Sequence, residues 1–227
     1  MRPMKRYVKP LAGSLLTGAV VVVLGACSSS SSTTGASPAN TSSATNGGTI
    51  TMASGTAPLS ADQGLDFTTQ GNELDSVVNT PLLTFKRGVE GVGGAQIVPG
   101  LAQSLPTVSN GGKTYTFTLR PGLHYSNGTP IKASDVTYAL ERDIKIPWQA
   151  ASFVSAYIQG GTEYANGKAK TISGMVTNDA TGTITVNLVA PFGPMLDIFA
   201  LAGTAPVPPN TPMKNLAGTG TIGDGPY

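Results

Sequence analysis

The 227-residue chain carries 14 Lys and Arg against 12 Asp and Glu, with a single Cys and a single His. One cysteine excludes a disulfide framework and a cysteine-rich zinc module, and a His-dependent catalytic set could draw only on His124. Hydrophobic residues make up 40% of the chain, enough to build a core, while the 29 Gly and 17 Pro fall just short of a low-complexity composition.

Four of the basic residues, Arg2, Lys5, Arg6 and Lys9, precede an uncharged apolar run from Leu11 to Leu24 that leads into Leu24-Gly25-Ala26-Cys27. This is the layout of a secretory signal, and the run is shorter than the roughly 20 apolar residues a spanning helix needs. Leu-Gly-Ala-Cys resembles the lipobox of bacterial lipoproteins, which implies removal of residues 1–26 and lipidation of Cys27. Removal of the signal leaves ten basic residues against 12 acidic ones, formally −2, and no basic patch interleaved with aromatics, so nucleic acid is not an expected partner. Residues 28–48 lack charge and large apolar side chains; such a segment cannot offset its ordering entropy by burial and reads as a flexible leash with a reach of roughly 25 Å.

A folded region is expected from Thr49. Thr49 to Ala53 alternates polar and apolar residues as a half-buried strand does. Leu74, Val77, Val78 and Leu82 fall at helical spacing, predicting a helix over Glu73 to Phe85 that Pro81 shortens or kinks. Asn110-Gly111-Gly112 is a turn signal before an alternating strand, Lys113 to Arg120, with Tyr115, Phe117 and Leu119 on one face, and Pro121-Gly122 is a second turn. Ser134 is a candidate N-cap for a helix to about Arg142 with Val136, Ala139 and Leu140 as its apolar stripe. Thr183 to Val189 reads as a strand and Pro191 to Leu201 as a helix. Irregularly interleaved strands and helices give a mixed α/β fold.

The motifs argue against enzymatic chemistry. Gly218 to Gly223 satisfies GxGxxG, but a Pro-rich approach replaces the strand and no helix N-terminus can follow to receive a pyrophosphate, so no dinucleotide cofactor is expected. His124 has no second His or thiol nearby and reads as a surface or partly packed side chain. Asp135 falls in a first helical turn, where the helix dipole favours a carboxylate, and Glu141 is spaced for an i,i+4 pair with Lys145; with Asp143 they read as helix residues and not as an acid–base set. Neither GxSxG nor HExxH occurs. The sequons at Asn40 and Asn127 carry no weight beside a bacterial export signal.

The most specific block runs from Val98 to Arg142, VPGLAQSLPTVSNGGKTYTFTLRPGLHYSNGTPIKASDVTYALER. It resembles the signature region of the family 5 extracellular solute-binding proteins, the dipeptide, oligopeptide and nickel receptors of ABC importers. The resemblance rests on Pro99 to Ser104, Thr114 to Phe117, Leu119 to Gly122, Asn127 to Pro130 and Ala133 to Val136, with Ala205 to Pro208 and Ile222 to Tyr227 agreeing at the end. Gln103, Leu105, Asn127 and Asp224 depart from the usual residues there without touching a ligand position of the family.

The resemblance implies a lobe of a two-lobed, type II periplasmic-binding-protein-like receptor. Residues 49–84 would open lobe I, 85–208 would form an inserted small subdomain, and 209–227 would return into lobe I, with the second lobe expected beyond Tyr227. It also implies a monomer without cofactor or metal that is held at the outer face of the cell membrane by its lipid, binds a peptide or similar small solute, and delivers it to ABC permease subunits. Ligand contact is expected from a loop made of Thr69, Gln70, Gly71, Asn72 and Glu73, where Gly71 would allow close approach of the ligand backbone. The same fold with a nickel chelate, an opine or an oligosaccharide as cargo is the alternative, followed by a secreted enzyme or an adhesion module.

Overall fold

The computed structural model describes Thr49, Thr51, Ala53 and residues 55–225 apart from Glu90 and Pro147. Its elements are α1 (Thr69–Val78), β1 (Leu83–Phe85), β2 (Ile97–Pro99), β3 (Thr107–Ser109), β4 (Thr114–Thr118), α2 (Ala133–Lys145), α3 (Ala151–Tyr157), α4 (Gly161–Ala165), β5 (Met175–Asn178), β6 (Thr183–Asn187) and α5 (Met195–Ile198). Short 3-10 stretches occur at Gly91–Ala95, Asn110–Gly112 and Ala202–Thr204. The signal, Cys27 and the leash lie outside the described residues, as do Ile50 and Met52 of the expected first strand; Thr49, Thr51 and Ala53 are exposed and in no strand.

Threonines alternating with large apolar residues build the main sheet, which is antiparallel in the order β3-β4-β6-β5. Tyr115 and Phe117 of β4 face Val186 and Ile184 of β6 across the ladder, and all four are buried. Such opposed apolar pairs are what stabilise an antiparallel sheet with one wet face. The β3–β4 hairpin turns on Asn110, Gly111 and Gly112, whose φ angles of 51°, 61° and 83° lie in the left-handed region that Asn and Gly tolerate. Against the dry face pack Val136 and Leu140 of α2, Val154 of α3, and Met195, Ile198 and Phe199 at α5, with the Phe117 and Phe199 rings 5.3 Å apart.

Several expectations are corrected. The first helix starts at Thr69 and stops at Val78, ahead of Pro81, and Leu82 lies beyond it in the approach to β1. Ser134 is already inside α2; the N-terminus of that helix is closed by Asp135, which accepts the Lys132 N–H at 3.0 Å, and Ser134 bonds through its N–H and hydroxyl to Asp179. Glu141 does not pair with Lys145: buried, it accepts the Ile172 N–H at 3.0 Å and the Thr171 hydroxyl, while Lys145 donates to Tyr164 O and sits 4.4 Å above the Tyr164 ring. The expected helix over 191–201 shrinks to Met195–Ile198, because Pro191, Gly193 and Pro194 cannot sustain a longer one. The glycine motif forms part of a turn, Gly220 N–H donating to Leu216 O at 2.7 Å.

One buried ion pair stitches three remote stretches together. Arg142 of α2 donates from Nη1 and Nη2 to the two carboxylate oxygens of Asp62, at 2.8 and 2.6 Å, with the two side chains 1% and 0% exposed. The same guanidinium donates to Pro212 O and Lys214 O, both at 2.9 Å, and Asp62 also accepts the N–H groups of Gly64 and Leu216. Both Asp62 oxygens and all three guanidinium nitrogens are thereby hydrogen-bonded, the condition under which a buried pair is tolerated. Replacing Arg142 with Met strands the Asp62 carboxylate, and the expected loss of about 3–5 kcal/mol is read from urea denaturation; a loss below about 1 kcal/mol would show that the pair does not organise the fold.

Candidate functional site

The five residues expected to contact ligand do not form a loop. Thr69, Gln70, Gly71, Asn72 and Glu73 are the first half of α1, and their polarity reflects a helix start. Thr68 is the N-cap, its Oγ1 accepting the Gly71 N–H at 3.1 Å, and Asn72 turns its side-chain amide back to Thr68 O at 3.0 Å. Behind the cap lies Asp66, which accepts the Thr68 N–H and hydroxyl at 2.8 and 2.6 Å and the Leu59 and Ser60 N–H groups at 2.7 and 3.3 Å. Burial pushes the Asp66 carboxyl upward, but these hydrogen bonds outweigh it and hold the group below its ordinary value.

Gly71 is buried against that carboxyl. A Cβ at this position would lie 2.1 Å from Asp66 Cγ, so the missing side chain makes room for Asp66 and not for a ligand. The Gly71→Ala variant therefore loses stability, by about 1–3 kcal/mol from overpacking, and a melting temperature unchanged from the parent would refute this account. Thr69 and Glu73 are exposed and Gln70 is half-buried.

Of the five, Asn72 lines a groove beside α1. That groove, of about 460 Å³, is lined by Asn72, Ser76, Val77 and Asn79 of α1 and its C-cap, by Thr84 to Arg87 of β1 and its continuation, and by Pro81 and Ala200 to Ala202. Arg87 closes one side by donating from Nη2 to Ser76 O. The lining holds two cationic side chains, Lys86 and Arg87, and no acidic one. A second groove, of about 380 Å³, runs between Arg120 to His124, Pro130 to Ala133 and Asp179 to Gly182. There His124 is exposed, its Nδ1 2.9 Å from Gly122 O. No group of three His, Cys, Asp or Glu among the described residues could hold a metal ion.

Sequence reasoning missed the acidic groups inside this end of the fold. Asp75 and Asn79 of α1 and its cap are each 1% exposed, and Asp75 Oδ2 and Asn79 Oδ1 lack a protein partner. Burial, reinforced by Asp66 and Asp62, raises the Asp75 carboxyl to about 7, and burial raises Asp224, which accepts the Thr80 N–H at 2.6 Å, to about 7 as well. A carboxyl whose folded pKa lies above its ordinary value of 3.8 favours folding most fully below about pH 4, and that contribution is lost as pH rises to about 7. Asp75→Asn should flatten the decline in unfolding free energy between pH 4 and 7; an unaltered slope in denaturation series at several pH values would contradict the assignment.

The sequence model of "Bacterial extracellular solute-binding proteins, family 5 Middle" matches residues 96–227. The dipeptide-binding protein DppE of Bacillus subtilis is 34% identical over 126 residues, 53% of this chain and 23% of that protein. The oligopeptide-binding protein OppA of the same organism is 33% identical over 103 residues, 44% of this chain and 19% of its own length. Among solved structures, Listeria monocytogenes OppA bound to peptide aligns with a TM-score of 0.56 at 26% identity, over 67% of this chain and 30% of that one. A Borrelia burgdorferi periplasmic oligopeptide-binding protein aligns at 0.58 and 28%, over 68% and 30%. The chain thus spans less than a third of the length of each of these relatives.

Proposed function

The chain belongs to the bacterial extracellular solute-binding proteins of family 5, and from that premise we propose that it serves as the substrate-binding component of an ABC importer that captures extracytoplasmic peptides. The observation that carries the reading is the match over residues 96–227, joined to relatives named for dipeptide and oligopeptide binding. In this reading residues 49–84 and 209–227 belong to the first lobe and 85–208 to its inserted subdomain. Cargo is taken up between two lobes and handed to permease subunits by a monomer that breaks no bond, so the free energy of the closed, liganded state is the whole mechanism. Ser134, Asp135 and Tyr125, which the family block brings together around the start of α2, act as scaffold: Tyr125 donates to Asp135 Oδ2 at 3.0 Å well inside the fold.

The same reading places the protein outside the cytoplasm, tethered through a lipid on Cys27. Among the described residues no helix is long and apolar enough to cross a membrane. A Cys27→Ser variant is then released from the membrane fraction, whereas continued pelleting with membranes would argue against the anchor. For the cargo, calorimetric titration of the full chain with di- to pentapeptides of mixed sequence should give saturable binding, accompanied by compaction in small-angle scattering. Binding of a nickel chelate or an oligosaccharide with no response to any peptide would replace peptide as the cargo.

A further inference from the structure

The second groove, between the turn that follows β4, the approach to α2 and the β5–β6 turn, has walls that are bonded to one another. Leu119 N–H donates to Gly182 O at 2.9 Å and Ile131 N–H to Leu123 O at 3.0 Å. Ser134 donates from its N–H and its hydroxyl to the two Asp179 oxygens at 2.8 and 2.9 Å. The spacing of the walls is thus set by the protein itself, before any ligand arrives. The charges in the lining are unequal. Arg120 and Lys132 are exposed on different walls, and neither forms an ion pair, Asp62–Arg142 being the one such pair among the described residues. Asp179, the only acid in the lining, has both oxygens committed to the first turn of α2, where the helix dipole offsets its charge. His124 completes the rim, its Nδ1 donating to Gly122 O. The groove therefore offers a planar guanidinium and a compact ammonium, neither with a carboxylate of its own, within about 380 Å³.

We propose that this groove docks the folded unit on the bilayer to which Cys27 tethers it, seating the phosphate of an anionic lipid headgroup between Arg120 and Lys132. The proposal rests on the lipid-tether reading above and gives the tethered unit a preferred face toward the membrane. Two features favour a lipid surface as the occupant. The first is the leash: residues 28–48, without charge or large apolar side chains, have a reach of roughly 25 Å and keep the unit beside the headgroups. At the effective concentration this sets, two cationic contacts suffice, although they are too weak to recruit an untethered protein from solution. The second is the composition of the rim, where exposed Pro121 and Pro130 and half-buried Leu123 flank the cations with apolar atoms suited to the glycerol region. Basic pockets of this kind are what bind anionic headgroups at a membrane surface.

The test reconstitutes the full chain, through its own anchor, into vesicles of phosphatidylglycerol and separately of phosphatidylcholine, and follows lysine acylation by a water-soluble ester with mass spectrometry. Lys132 should react roughly tenfold more slowly on phosphatidylglycerol, while Lys168 and Lys170, exposed outside the groove, react alike on both lipids. Arg120→Glu should restore the reactivity of Lys132 at an unchanged melting temperature, because the Arg120 side chain is exposed and holds no ion pair among the described residues. Equal reactivity of Lys132 on the two lipids would overturn the proposal. Equal slowing of all three lysines would overturn it as well, since that marks diffuse attraction and not a groove. Protection of Lys132 by millimolar inorganic phosphate on phosphatidylcholine would make this a site for soluble phosphate, and protection in native membranes but not on phosphatidylglycerol would assign it to an acidic protein partner; either result replaces the bilayer as occupant. All of these outcomes leave the tether intact, whereas a chain that does not enter vesicles at all removes the tether reading and the proposal together.

Discussion

The guanidinium of Arg142 lies at the centre of the arrangement, and what surrounds it depends on the satisfaction of its hydrogen bonds. It brings α2 against the segment leading into α1, through Asp62, and against the returning segment, through Pro212 and Lys214. A charged pair this deep offers little net stabilisation over an apolar equivalent, yet leaving either partner alone is costly. It therefore acts as a registration device: only one arrangement of the three segments satisfies it. Gly64 and Leu216, both bonded to Asp62, locate the chain on either side of it. The position of α1, and with it both the Asp66 cap and the groove beside α1, follows from where that lead-in segment is held.

Around this lock the polar interior is arranged in a graded way. Asp62 is charged and fully paired, Asp66 is held ionised by four donors, and Asp75 and Asp224 are raised toward neutrality where donors run out. Asp143, adjacent to Arg142 in sequence and wholly buried, is pushed well upward by burial in spite of the neighbouring positive charge. Half of the 12 acidic residues counted in the composition, Asp62, Asp66, Asp75, Asp135, Glu141 and Asp143, are thus buried inside the fold, whereas of the ten Lys and Arg beyond Cys27 Arg142 alone is buried. Formal charge read from composition accordingly understates how basic the water-facing surface is.

The strands β4 and β6 were legible because a sheet with one wet face imposes strict alternation, and TYTFT and TITVN display it without interruption. Strands β1, β2 and β3 span three residues each, too few for any periodicity to register, and exist only because a partner pairs with them. The start of α1 was misplaced because Gly71 within a polar run looks like a loop; the available signal was Thr68, a capping residue followed by apolar positions at helical spacing. The misassigned Glu141–Lys145 pair shows the same limit from the other side, since spacing along a helix identifies neighbours but not the more distant donors at Thr171 and Ile172 that win. Nothing local could announce that Asp62 and Arg142, 80 positions apart, would meet.

That separation has a consequence for the order of events in the life of the chain. Asp62 must find Arg142 and then Leu216, 154 positions downstream of it, before its oxygens are satisfied. Closing such long loops is entropically expensive and comes late in folding. A chain emerging from its N-terminus therefore cannot lock this unit while its early residues alone are free to fold. The deep ion pair becomes a timer, setting the shape only once the returning segment has arrived.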